Sequence, residues 1–471
     1  MLRIKSIQGN KKLSDTASVG LFFFLAALWC IMMYFTIVPY IFGHTLPYDK
    51  NSINISWLTL ILVIISLTSS VIWFFAQFGY LIVGNRVANH QRKLLIKLDN
   101  DIKVKPLISI IIPAHNEETV IKRTASSCLE QIYNNIEVIV VCHNCTDNSY
   151  PLLKQLKDER IKAFDLKTKD AGKGIALDFG VQNSKGDYIV VLDSDGTLEK
   201  DFLSTAIVLF ENDIIAAVQG KLLPNNRHHN IITELLSLEG DLFSIPYMTM
   251  KTLLDKRTSL GGTGYIIRKN ILLKVGGFKN SLIDDFELSF RLFRNNYRIV
   301  FAPLSISHDE RPPELALMLR QRSRWIKGHI DLLKERVAEP TDIMGILYWL
   351  NPIFMICGLL SIAIVSFALF YYMLFGVLPF KFSFIPFLLW FWITVASYLL
   401  QLSILVKQNG EKGFDYAGFL ALSAIFSHYW YVTLIKAFFV KSWSNTKTTH
   451  GYFSSEDKER LSEEVKDKKN I

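Results

Sequence analysis

The stretch "GDYIVVLDSDG", residues 186–196, is an apolar run that stops at two carboxylates one residue apart, Asp193 and Asp195. A short run rich in Val and Ile and bounded by turn residues reads as a buried strand. Carboxylates on alternate residues at its tip can share a divalent cation. They can also divide the work, one reaching a bound ribose or base and the other a metal. "DSDG" is good turn chemistry as well, so the neighbouring sequence is needed to separate the two readings.

Upstream, strand and helix patterns alternate. "LISIIIPAHNEE" (107–118) is an apolar run ending at Pro113, "ETVIKRTASSCLEQ" (118–131) is helical, and "IEVIVVCHNCTDN" (136–148) is a second strand. A short "IKAFDL" (161–166) and a loop with helix, "GKGIALDFGVQNS" (172–184), lead into the opening stretch. Val- and Ile-rich strands alternating with helices predict an α/β domain with a parallel sheet covered on both faces. Ligands bind such sheets just beyond the carboxyl ends of the strands. The three polar clusters "AHNEE", "CHNCTDN" and "DSDG" are therefore expected at one sheet edge.

Half of the 471 residues are hydrophobic, and they gather toward the two ends of the chain. Val19–Phe42 carries no charge and Ile55–Gly84 is a second apolar run. Each reaches the about 20 residues that span a bilayer core. The first is too long for a signal-peptide core of about 7–15 residues, and no small-residue cleavage site follows. Arg3, Lys5, Lys11 and Lys12 precede these runs and Arg86, Arg92, Lys93 and Lys97 follow them, while the connecting loop holds only Asp49 and Lys50. Positive-inside bias then puts the N-terminus and the central domain in the cytoplasm. Three further apolar blocks, 342–378, 383–406 and 415–440, would leave the tail outside, yet Lys436, Lys441 and Lys447 favour an inside tail. The parity at this end stays open, with the long first block, interrupted by Asn351 and Pro352, as its uncertain member.

The expected organisation is a cytoplasmic N-terminus (1–18), two transmembrane helices (19–84), a cytoplasmic domain (85–340), transmembrane and interfacial helices (341–440) and a charged cytoplasmic tail (441–471). The net charge of +9 fits this plan, because basic residues flank the apolar segments and no nucleic-acid reader is present. Of five cysteines, Cys142 and Cys145 have CxxC spacing without a second pair, and a zinc site needs four ligands. They read as a reduced loop.

Downstream, "SLGGTGYIIRKNILLKVGGF" (259–278) holds a small-residue loop, including Gly262 and Thr263, in which backbone can approach a ligand closely. "LIDDFELSFRLFRNNYRIVFAP" (282–303) puts Asp284 and Asp285 at the head of an amphipathic helix, as helix caps or as a general base. "LRQRSRWIKGHI" (319–330) is basic and aromatic ahead of the third apolar block.

The ordered set "PAHNEE", "NCTDNS", "GKGIAL", "DSDG", "GGTGY", "DDFEL" and "QRSRW" resembles the family 2 inverting glycosyltransferases. Specifically, it resembles the membrane-embedded processive branch that contains the cellulose, hyaluronan, chitin and poly-N-acetylglucosamine synthases. The likeness covers residues 106–330 and implies a GT-A type nucleotide-sugar domain inserted between transmembrane helices. It implies His115 and Glu117 in the first nucleotide motif, Lys173 and Asp193 on the nucleotide, and Mg²⁺ or Mn²⁺ on Asp195. Asp285 becomes the catalytic base, although Ile283 and Asp284 replace the usual Thr and Glu. Gln321 and Arg324 go to the donor diphosphate, and Trp325, with Gly262, Thr263 and Asp284, to the acceptor. Cys142 and His143 stand where many relatives carry two acidic residues, so base recognition passes to Asn144 or Asp147.

The implied partners are a nucleotide sugar, UDP-GlcNAc or UDP-Glc first, a growing glycan and membrane lipid, but no nucleic acid; accessory secretion subunits are left open. The alternatives are a transferase that adds one sugar to a lipid acceptor and a catalytically dead scaffold. Intact Asp193, Asp195 and Asp285 argue against the scaffold.

Overall fold

The computed structural model describes residues 20, 48–98, 106–334, 343–381, 384–426 and 429–440. The expected N-terminal segment 1–18, nearly all of the first apolar run and the tail 441–471 lie outside the described residues.

The chain divides into two compact units. One contains, among the described residues, 85–240, 248–346 and 432–440, and is built on an eight-stranded sheet. Its strands are β1 (Ile108–Ala114), β2 (Ile136–His143), β3 (Ile161–Leu166), β4 (Tyr188–Val191), β5 (Thr197–Leu198), β6 (Ile215–Pro224), β7 (Tyr265–Arg268) and β8 (Arg298–Asp309). Their order is β3-β2-β1-β4-β7-β6-β8-β5.

The first half, β3-β2-β1-β4, is parallel. All eight residues of β2 are buried, which is why these strands read as unbroken apolar runs. The expectation of a wholly parallel sheet needs correcting beyond β4. There β7 runs antiparallel to both β4 and β6, β8 is parallel to β6, and β5 closes the edge antiparallel to β8. The sheet is mixed because β7 enters between β4 and β6 from the opposite end, led in by the 261–264 loop.

One face of the sheet packs Ile108, Ile110, Ile112, Val138, Val140, Val190, Leu192, Val218 and Ile266 against the helices Ile121–Leu129 and Phe202–Ile207. The other face is covered in part by the helix Lys173–Gln182, which comes so close that a Cβ on Gly180 would lie 2.5 Å from Ile111 Cγ2. Because β1, β2 and β4 are parallel, Ala114, His143 and Val191 end on one side, and the polar clusters after them share one edge.

The other unit contains residues up to 84, 241–247 and 347–431. Its helix Ser56–Val83 spans 28 residues and is long and apolar enough to cross a membrane, by length and composition. The block 342–378 forms one helix, Ile343–Phe375, continuous through Asn351 and Pro352. The next block forms Phe384–Asn409, and the last is broken into Gly410–Tyr416, Ala417–Phe426 and Tyr429–Ala437, the unit boundary falling after Tyr431. Within this unit the strand Tyr48–Asn54 pairs in parallel with Leu378–Lys381, and Ser66 and Ser361 hydroxyls meet at 2.8 Å.

Candidate active site

Lys173 is the first residue of its helix, and the glycines beside it are a packing requirement. A Cβ on Gly172 would fall 1.7 Å from Asn280 Oδ1, and one on Gly174 would fall 2.2 Å from the Lys279 carbonyl oxygen. Held so, Lys173 Nζ lies 2.6 Å from Asp193 Oδ1 and donates to the Gly262 carbonyl at 2.8 Å. Burial alone would push the ammonium pKa down, but the carboxylates of Asp193, Asp284 and Asp285 outweigh it and the net shift is upward. Lys173 is a fixed positive charge.

Asp193 lies two residues beyond the end of β4, and its backbone N–H donates to Thr263 Oγ1 at 2.9 Å. Its carboxyl pKa is raised by burial and by Asp195, with Lys173 pulling it back. The 261–264 loop needs its glycines: Gly262 and Gly264 have φ of 80° and 63°, and a Cβ on Gly264 would lie 2.1 Å from Ser307 Oγ.

Asp284 and Asp285 open the helix Asp284–Arg294. The buried Glu287 carboxylate grips Arg291 at 2.8–2.9 Å, and Arg291 Nη1 donates to the Val275 carbonyl at 2.6 Å, which anchors the helix. Asp285 Oδ2 lies 3.5 Å from where a Gly262 Cβ would stand. Desolvation and the neighbouring Asp284 push the Asp285 carboxyl up to about 6, against the pull of Lys173 and Arg324. The Tyr265 hydroxyl, fully buried with Asp284, Asp285 and Asp193 as its charged neighbours, has no hydrogen-bond partner, and neither has Asp284 Oδ2.

Asp195 is 7% exposed, and its Oδ2 accepts from the Glu310 N–H at 3.3 Å. Arg123 fastens this corner, donating to the Asp195 carbonyl at 2.9 Å and to Glu310 Oε1 at 3.1 Å. Asp309, the last residue of β8, belongs here too. Burial and the charges of Asp195 and Asp193 push it up to about 6 although Arg311 holds one oxygen at 2.9 Å, and its Oδ1 is buried without a partner. Among the described residues no group of three or more His, Cys, Asp or Glu could hold a metal ion. Mg²⁺ and Mn²⁺ need no group of three, because they take one or two protein carboxylates and complete the shell with phosphate and water; the donors this corner offers are Asp195 and the orphaned Asp309 oxygen.

At the other end of the edge, His115 Nδ1 pairs with the His143 carbonyl at 2.8 Å, and Glu117 N–H donates to Ser149 Oγ at 2.8 Å. Beneath them the free thiols of Cys142 and Cys145 are buried, and Asn116 N–H points at Cys145 Sγ at 3.3 Å. Asn144 and Asp147, expected at the base, are already engaged: Asn144 clasps Thr168 N–H and carbonyl, and Asp147 caps the Glu118 and Ser149 N–H groups. They shape the loop.

Gln321, Arg324 and Trp325 share a helix, Leu315–Lys334, at a spacing that puts them on one face. Only Arg324 joins the acidic cluster: it donates to the Leu282 carbonyl at 2.7 Å, and burial lowers its pKa against the pull of Asp284, Asp285 and Asp193. Trp325 lies under the Arg322 guanidinium, 4.2 Å from the ring centroid, and Arg322 is paired with Glu239 at 3.1 Å. No hydrogen bond among the described residues ties Gln321 or Trp325 to the carboxylates.

The structure thus brings Lys173, Asp193, Gly262, Thr263, Asp284, Asp285 and Arg324 together, with Asp195 beside them. Sequence reading missed Asp309 and Gln219. "SISHDE" (305–310) ends a strand in carboxylates as "DSDG" does, and a glutamine inside the apolar "IAAVQG" (215–220) is a polar group in a buried strand; either signal was available.

Residues 188–395 match the model of glycosyl transferase family group 2. The chain is a glycosyltransferase. A probable glycosyltransferase of Bacillus subtilis, YdaM, is 28% identical over 362 residues, covering 73% of this chain and 85% of that protein. The poly-β-1,6-N-acetyl-D-glucosamine synthase of Staphylococcus aureus is 27% identical over 54% of this chain, which spans 63% of that synthase. Among solved structures, a mannosyltransferase of Pyrobaculum calidifontis in complex with GDP-Man and Mn²⁺ is similar with TM-score 0.49 and 16% identity, over 80% of this chain and 99% of that one.

Proposed function

We propose that this transferase moves a sugar from a UDP-sugar to a glycan hydroxyl in one inverting displacement, with Asp285 as the base. The observation that carries the reading is Asp285 itself. It is partly exposed beside the glycine loop, its pKa is raised to about 6, and Lys173 and Arg324 keep it ionised near neutral pH. Asp285 takes the acceptor proton as its oxygen attacks the anomeric carbon, and Lys173 and Arg324 offset charge on the departing diphosphate. Asp193 faces the nucleoside. Asp195, with Asp309 next to it, would hold Mg²⁺ or Mn²⁺, which supplies Lewis-acid stabilisation of the leaving group.

The product is a β-linked polysaccharide, with UDP-GlcNAc the first donor to try because the Staphylococcus relative is named for that polymer. Trp325 offers an aromatic face to the pyranose of the growing end. The protein sits in the plasma membrane with its sheet domain cytoplasmic, on the basic flanks of its apolar segments. Purified protein in lipid nanodiscs, given radiolabelled UDP-sugars with Mg²⁺ or Mn²⁺, should transfer sugar, and Asp285→Asn should not. Undiminished transfer by that variant removes the mechanism.

A further inference from the structure

Gln219 is 1% exposed in the middle of the sheet, a position where a polar side chain needs a reason. The antiparallel pairing of β6 and β7 stops at Gln219 opposite Tyr265. One more main-chain bond follows, from Gly220 N–H to the Gly264 carbonyl at 2.9 Å; the rest of the turn through 261–264, with its two left-handed glycines, lies outside the ladder. Buried peptide groups need substitutes, and the Gln219 amide supplies them for Gly261 N–H and the Thr263 carbonyl while adding a second donor to the Gly264 carbonyl.

Its Oε1 accepts from Gly261 N–H at 2.8 Å. Its Nε2 faces the carbonyls of Gly220 at 3.0 Å, Thr263 at 3.0 Å and Gly264 at 3.2 Å. One N–H and three carbonyls leave no doubt about which end of the amide is which, since a flipped amide would set oxygen against oxygen. The side chain therefore clamps both ends of the loop, with two N–H hydrogens shared among three acceptors.

What the loop touches gives the clamp its consequence. Gly262 O receives Lys173 Nζ, Thr263 Oγ1 receives the Asp193 N–H, and Gly264 N–H donates to Val191 O at 2.9 Å. Leu260 N–H donates to Ser289 Oγ at 3.0 Å, and that hydroxyl donates to the Asp285 carbonyl at 2.8 Å. A shift of the loop would move the ammonium, the Asp193 backbone and the wall facing Asp285 together.

We propose that Gln219 is a positioning residue for sugar transfer, holding the 261–264 loop where the acceptor hydroxyl meets Asp285. This rests on Asp285 being the base. A glutamine that only satisfied buried backbone would, when replaced, lower stability and leave the turnover of folded enzyme alone. Misplacing a reacting group by about 1 Å costs about a hundredfold in rate.

The test uses full-length protein in nanodiscs, with Gln219→Met, similar in size without the hydrogen bonds, and Gln219→Glu, which sets an acceptor against three carbonyls. UDP titration by calorimetry counts donor-competent sites and gives affinity; transfer assays give kcat per such site. Expected for either variant are UDP affinity within about threefold of wild type and kcat lower by about tenfold to a hundredfold. A kcat per site within about threefold of wild type overturns the proposal, as does UDP affinity falling in step with kcat. If neither variant folds, Gln219 is a requirement of the fold and the proposal fails too. Transfer by wild type that survives Asp285→Asn would instead remove the base on which the inference rests, an outcome read from a different pair of proteins.

Discussion

Lys173 Nζ sits 2.6 Å from Asp193 Oδ1, an ion pair joining the start of a helix to the loop that follows β4. The same ammonium is the main positive charge acting on Asp285. Replacing Lys173 by Met therefore has two effects. A charge-assisted bond to the donor is lost, raising donor KM by about tenfold to a hundredfold. Asp285 also loses its strongest counter-charge, so the pH at which activity reaches half its plateau moves upward. Steady-state kinetics from pH 5 to 9 checks both.

Asp285 in the wild type sets the acid limb. Its carboxyl is raised to about 6 by desolvation and by Asp284. A base must be deprotonated to act, so kcat/KM for transfer falls as pH drops through about 6 and is flat above it, provided no other group intervenes. Asp285→Asn lowers transfer by about 10²–10⁴-fold while UDP still binds. An acid limb near pH 4 would show that the carboxyl is not perturbed in the working enzyme.

Removal of divalent cations separates Asp195 from Asp193. Protein stripped with EDTA loses transfer and regains it with Mg²⁺ or Mn²⁺. Asp195→Asn raises the cation concentration for half-activation, and Asp309→Asn, whose orphaned oxygen lies in the same corner, raises it less. Full activity in EDTA would count against the cation reading.

The glycine loop makes a stability prediction. Gly264 has φ 63°, and a Cβ there would collide with Ser307 Oγ at 2.1 Å, whereas the nearest atom to a Cβ on Gly261 is 3.6 Å away. Gly264→Ala should cost about 1–3 kcal/mol or more, and Gly261→Ala about 0.5 kcal/mol or less. Thermal unfolding in one detergent compares them; equal midpoints would contradict the geometry.

These relationships differ in how openly the sequence states them. β1, β2 and β4 announce themselves because strands buried on both faces are continuous apolar runs, and the aspartates after β4 are conspicuous against them. Lys173 stands out in "GKG" as a residue type, but its pairing with Asp193 and the tight approach of Asn280 to Gly172 do not, since the latter joins segments over a hundred residues apart. The antiparallel entry of β7 was hidden for a similar reason. "YIIR" shows that a strand exists, and nothing in it says between which neighbours it inserts. Asn144 and Asp147 look like ligand contacts by type, and their use in fastening a loop shows only when Thr168, Glu118 and Ser149 are placed around them.

The central claim is sugar transfer with Asp285 as base, extended to a polymer. It is tested most directly by incubating the nanodisc-embedded protein with radiolabelled UDP-GlcNAc, UDP-Glc and other UDP-sugars and sizing the products on a gel, with Asp285→Asn alongside. A ladder or high-mass smear from one donor, absent in the variant, is the predicted result. A single small lipid-soluble product would contradict the polymer, and equal product from Asp285→Asn would contradict the mechanism.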